Sequence, residues 1–304
     1  MKKFLSLLLV GCIVFLVVAV CIELYQAKVV NSMTIKYNYM EQKSCGIKTL
    51  LLGNSYMENS INPHLMGDSV FDLAVSGRWI YYDFKLLERY SSRMTNLKQV
   101  VFGMGYAVPF YGSLHFPEEG KEYADFQKYR YEKFMHVRYD RSPYYYWFGL
   151  FRGYIRMATL CDDNGFYQDT LGYVGYDCIE GQQINWEKVQ NIDPDVVSNP
   201  HASVQIKEYT IFLKEMARIC QQNGVRFIVI TPPCHDSYIA NVRQEGLDIL
   251  HGMIDEVRAS YPVEYIDYLQ DVEFRTDSIY YNCSHLNSIG ADMFALRVKK
   301  DFGL

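Results

Sequence analysis

With 304 residues, the chain is long enough to bury one sizeable α/β core. Its net charge of −5 comes with no long basic run, which argues against a nucleic-acid partner. The eight cysteines show no Cys-x-x-Cys or His-rich spacing, so neither a metal site nor a cofactor is expected.

Lys2 and Lys3 precede an apolar run over residues 4–22, "FLSLLLVGCIVFLVVAVCI". The run is long enough to cross a bilayer as one helix, and the leading lysines favour a cytoplasmic N-terminus with the body exported. Leu9-Val10-Gly11-Cys12 resembles a lipoprotein cleavage box, but the apolar run continues well beyond Cys12 and no small-x-small exit follows Val20. Residues 1–24 therefore read as an uncleaved transmembrane signal anchor, 25–46 as a linker and 47–304 as the domain. Such a chain is expected in a bacterial inner (cytoplasmic) membrane as a single-pass protein, its domain on the periplasmic or extracellular side. Export permits disulfides, and Cys161 with Cys178 is one of several pairings open to the six cysteines of the body.

Beyond the linker, apolar strand patterns occur at 49–53, 70–75, 99–103, 226–231 and 263–266. Helical periodicity lies over 81–93, 204–222, 247–259 and 288–300, and Asn223-Gly224 reads as a helix C-terminus. Strands alternating with helices imply a parallel sheet covered on both faces. Residues 106–200 break the rhythm and read as an insertion between the third and fourth strands, with some helix around Trp147 to Leu160. Much of the chain's tyrosine lies in this stretch; tyrosine buries area while keeping a polar tip, which suits both packing and a sugar-binding surface.

In open parallel sheets the ligand crevice lies beyond the carboxyl ends of the strands. Ser55 in "LLGNSYMENSINP" stands just past the first strand, Gly77 in "FDLAVSG" past the second and Gly105 in "VVFGMGY" past the third. His285 in "NCSHLNSIGA" stands just before the last helix. A serine hydroxyl needs an adjacent base to become a nucleophile, and histidine, with an ordinary pKa near ~6.5, is suited to that task. Ser55 and His285 are thus the candidate catalytic pair, and the backbone at Gly77 and after Ser55 is the candidate oxyanion donor set. Ser55 as a helix N-cap and His285 as a structural histidine are the plainer readings. Asn54 reads as a turn residue or an oxyanion-loop residue. His235, in "ITPPCHDSY" after the fourth strand, is a candidate substrate contact. His64 and His201 read as structural or exposed.

Those three blocks resemble the SGNH, or GDSL-like, hydrolases, most closely a membrane-anchored envelope branch in which "GNS" replaces "GDS". The resemblance covers most of residues 47–304 outside the insertion. It implies a flavodoxin-like three-layer α/β/α fold and ester chemistry, often on acylated carbohydrate of the cell envelope. Two positions depart from the family pattern. Asn282 stands where the family carries an aspartate three residues before the histidine, and "GMGYAV" offers Gly105 or Tyr106 where the family carries an asparagine. An amide in place of the aspartate can hold the imidazole in the wrong tautomer. A backbone carbonyl or Asp277 could orient His285 instead, although Asp277 also reads as a surface turn residue. The alternative function is a catalytically silent glycan-binding or assembly protein of an envelope polysaccharide system; oligomeric state is not legible.

Overall fold

Five short strands, rich in Leu, Val, Ile and Phe, build the sheet: β1 (Thr49–Gly53), β2 (Val70–Asp72), β3 (Gln99–Gly103), β4 (Arg226–Thr231) and β5 (Glu264–Asp267). All neighbours pair in parallel in the order β2-β1-β3-β4-β5, the flavodoxin-like order. This computed structural model describes residues 1–26, 30–67, 69–111, 121–139, 169–175 and 202–304.

Side-chain alternation along each strand feeds two cores. Leu50, Leu52, Val100, Phe102, Phe227 and Val229 face one layer. That layer is built from α2 (Ser32–Lys43), α4 (Ile80–Tyr90), α7 (Ala202–Gln222) and α9 (Gln244–Arg258). Leu51, Val101, Ile228 and Ile230 face the other, where Met57 of α3 (Ser55–Glu58) and Phe294, Val298 and Phe302 of α10 (Ser288–Phe302) pack. The fold is therefore the three-layer α/β/α expected, with strand and helix bounds close to those read from periodicity. Three further α-helices, α5 (Val108–Tyr111), α6 (Lys121–Phe134) and α8 (Asp236–Ile239), and the antiparallel pair β6 (Tyr280–Asn282) and β7 (His285–Leu286) are also described.

The second strand is shorter than its apolar run. After Asp72 the chain stays beside β1 through Leu73 N–H to Leu51 O (3.0 Å) and Val75 N–H to Gly53 O (3.2 Å), without ladder geometry. This detail carries the 73–77 loop up to the start of α3.

At the N-terminus, α1 (Lys2–Gln26) has the length and apolarity of a membrane span, properties it shares with signal sequences. The stretch read as a linker differs from expectation. Within it, α2 is capped by Asn31, whose Oδ1 accepts from Thr34 N–H, and it buries Met33, Lys36 and Met40 completely. Its burying residues recur at three- and four-residue spacing, so one face belongs to the core and the folded body begins near residue 31 rather than 47. Polar and aromatic residues around that face concealed the stripe. Of the insertion, α5, α6 and residues 169–175 are described; the helix expected around Trp147–Leu160, the Cys161–Cys178 pairing and His201 lie outside the described residues.

Because Met40 is fully buried, Met40→Ala is expected to cost about 2–5 kcal/mol by large-to-small truncation. Urea unfolding checks this; a change within about 0.5 kcal/mol would mean α2 is only a tether.

Candidate active site

The end of β1 is pinned by a buried polar frame. Gly53 N–H donates to Asp83 Oδ1 (3.1 Å), which also accepts from Arg78 Nη1 (3.0 Å), while Arg78 Nε donates to Tyr131 Oη (2.7 Å). Burial lifts the Asp83 carboxyl to about 6 against the opposing pull of Arg78. The next residue, Asn54, caps α3 by accepting the Tyr56 N–H (3.1 Å), so Ser55 becomes the first residue of that helix. Across from it, Ser76-Gly77 turns at the end of the loop carried up from β2, with Gly77 at φ +72°, a conformation that favours glycine.

His285 reaches the same edge from another part of the chain. β6 and β7 pair antiparallel with Asn282 opposite His285, joined by Cys283-Ser284. A two-residue connection makes residues i and i+3 cross-strand neighbours, which is the physical meaning of the Asn-x-x-His spacing. Asn287 holds the hairpin to α10: its Oδ1 caps Gly290 N–H (3.1 Å) and its Nδ2 donates to Ser278 O (2.8 Å). A side chain at Gly290 would strike Ile279 O at 2.4 Å, so "HLNSIGA" encodes the seat of this hairpin.

The three side chains meet in a line. His285 Nε2 lies 2.8 Å from Ser55 Oγ, and His285 Nδ1 lies 3.0 Å from Asn282 Oδ1. Ser284 N–H donates to that same Oδ1 (3.0 Å), and Ser284 Oγ lies 3.0 Å from Nδ1 and 3.3 Å from Oδ1. A backbone N–H can only donate, so it selects the oxygen end of the Asn282 amide. That oxygen in turn requires the proton on Nδ1, since an unprotonated Nδ1 would set two acceptors face to face at 3.0 Å. Nε2 then accepts from the Ser55 hydroxyl. By this network the amide preserves the base tautomer, unlike an amide whose NH₂ faces the ring. The missing element is negative charge. Burial pushes His285 down to about 4, partly offset by the Glu58 carboxylate, and the ring is neutral at pH 7.

Other expected residues fall into different places. Asp277 is largely exposed and pairs with His235 Nε2 (3.1 Å), not with His285. His235 is buried and caps α8, its Nδ1 accepting from Ser237 N–H (3.0 Å). Its side chain is thus engaged at both nitrogens by the protein. Gly105 lies against Tyr56, whose ring would stand 2.6 Å from a Cβ there, and that ring stacks on His285 with centroids 5.2 Å apart. His64 is half exposed and bonded to Asp169 (2.7 Å). Sequence reasoning missed Ser284, Tyr56 and Glu58. Ser284 and Tyr56 adjoin the named residues, a signal that adjacency to the motif supplies; Glu58 had none, because its partners are remote in sequence. No group of metal-ligating side chains occurs among the described residues.

No family model and no curated protein matches the chain. Similar solved structures include a Streptococcus pneumoniae protein provisionally named a platelet activating factor, with TM-score 0.45, 9% identity and coverage of 89% of this chain and 90% of that one. Another is a Bacteroides fragilis protein provisionally named an acylhydrolase, with TM-score 0.42, 10% identity and coverage of 87% and 94%. At such identities nothing about chemistry passes from them to this chain.

The His285 imidazole is expected to titrate at about 4 by NMR, and Asn282→Asp to move it upward toward or past the ordinary ~6.5, because a carboxylate favours the charged ring. The unfolded chain protonates His285 first, so this group lowers stability as pH falls from about 6.5 to about 4 and contributes nothing above that window. A wild-type titration near 6.5 would contradict the buried, uncharged setting.

Proposed function

We propose that the protein is a membrane-anchored serine ester hydrolase or O-acyltransferase that works through an acyl-Ser55 intermediate. The continuous hydrogen-bonded line from Ser55 Oγ through His285 to Asn282 carries this reading. As Ser55 Oγ attacks the ester carbonyl, its proton passes to Nε2; the carbonyl becomes an oxyanion, for which the N–H groups at the start of α3 and at Gly77 are the donors. When the intermediate collapses, the leaving oxygen takes the proton from Nε2. Water or a sugar hydroxyl then gives its proton to Nε2 and attacks the acyl-serine; as this second intermediate collapses, Nε2 returns the proton to Ser55 Oγ, and the acid or the new ester leaves. Cell-envelope carbohydrate as the acylated substrate, and an exported body, rest on the motif resemblance, the tyrosine-rich stretch and the apolar α1.

Asn282 also favours a second reading, a silent site that binds ester-bearing glycans, because imidazolium formed next to an amide lacks a carboxylate to stabilise it. Turnover of p-nitrophenyl acetate by the full chain in detergent separates the two. Ser55→Ala and His285→Ala are expected to lose at least about 10³-fold in kcat. Asn282→Asp is expected to gain about tenfold, since Ser284 N–H and Oγ stand ready to bond a carboxylate and the new charge stabilises imidazolium. Wild type and all variants at the same background rate, with Ser55 unlabelled by a fluorophosphonate, would leave the silent reading standing.

A further inference from the structure

Beneath the nucleophile helix lies a buried ion pair that the proposed chemistry has not used. Lys36 Nζ of α2 stands 3.0 Å from Glu58 Oε1 of α3, with side-chain exposures of 0% and 4%. The same ammonium donates to Ala74 O. Glu58 Oε2 accepts from Ser76 N–H (2.7 Å) and from Ser76 Oγ (2.6 Å). Asp72 is buried beside them, and burial above all lifts its carboxyl to about 8. It therefore keeps its proton at pH 7, leaving one cation against one anion.

Burying such a pair is expensive, and replacing it by apolar side chains of similar volume is often neutral or stabilising. Fold stability alone is thus a poor reason for its presence. What the pair contacts is more telling. Glu58 lies on the helix that starts at Ser55, and every other bond of the pair goes to the loop from Ala74 to Ser76, directly before Gly77.

We infer that Lys36 and Glu58 are positioning residues that hold the 74–77 loop at a set distance from Ser55, aiming the Gly77 N–H at the acyl oxygen, so that α2 is a working part of the active site. The inference rests on the proposed serine chemistry. The carboxylate fixes the loop to the nucleophile helix at two atoms, which is enough to resist rotation of the Ser76 peptide. Lys36 neutralises that carboxylate and restrains the preceding carbonyl. Preorganised donors of this kind matter because they need no reorganisation as the oxyanion forms.

The test compares Lys36→Met/Glu58→Met, Lys36→Met and Glu58→Gln with wild type, each as full chain in detergent. Measured for each are kcat and KM for p-nitrophenyl acetate, the rate of fluorophosphonate labelling at Ser55, melting temperature, and amide hydrogen exchange over residues 74–77. The double variant removes both charges and is expected to melt close to wild type, and above Lys36→Met, which strands a buried carboxylate. Its kcat should nevertheless fall about tenfold or more with KM within about twofold, a smaller loss than deleting an oxyanion donor outright. Labelling should slow in parallel and the 74–77 amides should exchange faster. Glu58→Gln keeps an acceptor for Ser76 N–H and should retain most of the turnover. Wild-type exchange at 74–77 in the double variant, or kcat that follows melting temperature across the series, would overturn the inference. If wild type neither turns over ester nor labels at Ser55, the proposed function fails separately. Exchange then decides alone: faster exchange supports the holding role, and unchanged exchange removes it.

Discussion

The hydrogen bond from Ser284 N–H to Asn282 Oδ1 sets the chemistry of the whole site. A peptide N–H has no acceptor capacity, so it settles which end of the amide turns toward His285. From that orientation follow the proton on Nδ1, the lone pair on Nε2 and the hydrogen bond to Ser55. An amide in this position is thus competent to orient the ring, and what it forgoes is charge. The low affinity of His285 for a proton agrees with that: burial holds the ring neutral, and the Glu58 carboxylate offsets this only in part. In the proposed chemistry such a base is available at neutral pH but receives a proton reluctantly, which shifts the burden onto the oxyanion donors.

Those donors sit on loops, and loops need restraint from the scaffold. Two buried charge networks supply it. Arg78, Asp83 and Tyr131 fix Gly53 at the end of β1. Lys36 and Glu58 fix the loop that follows β2 to the helix that carries Ser55. Each network joins segments distant in the chain, and each uses charge where apolar packing would fill space without dictating direction. Direction is what a donor aimed at a developing oxyanion requires.

The sheet and its covering helices were legible because their signals are local. Strand runs such as Thr49–Gly53 and Arg226–Thr231, and the helical stripe of Ala202–Gln222, repeat with periods dictated by backbone geometry. Ser55 and Gly77 could be named as candidates for a related reason: they follow the ends of parallel strands, and their motif contexts, with that of His285, read in the right order. Less legible was α2. Its buried face includes Lys36, a residue that an apolar pattern counts against burial, and its purpose depends on Glu58 across the fold. His235 and Asp277 were each considered as site residues on position alone, yet they bond one another because the hairpin brings residue 277 to the start of α8.

The sequence by itself determined the parallel α/β sheet, the apolar N-terminal helix and the order of the blocks that end at one sheet edge. Those features depend on short-range periodicity and on which residue types tolerate a turn, a cap or a bilayer. Only the tertiary structure decided which way the Asn282 amide faces, which partner Asp277 takes and where Lys36 places its charge. Each of those outcomes is a choice between hydrogen-bonding partners, and the choice is made by distances between segments that the chain order does not encode.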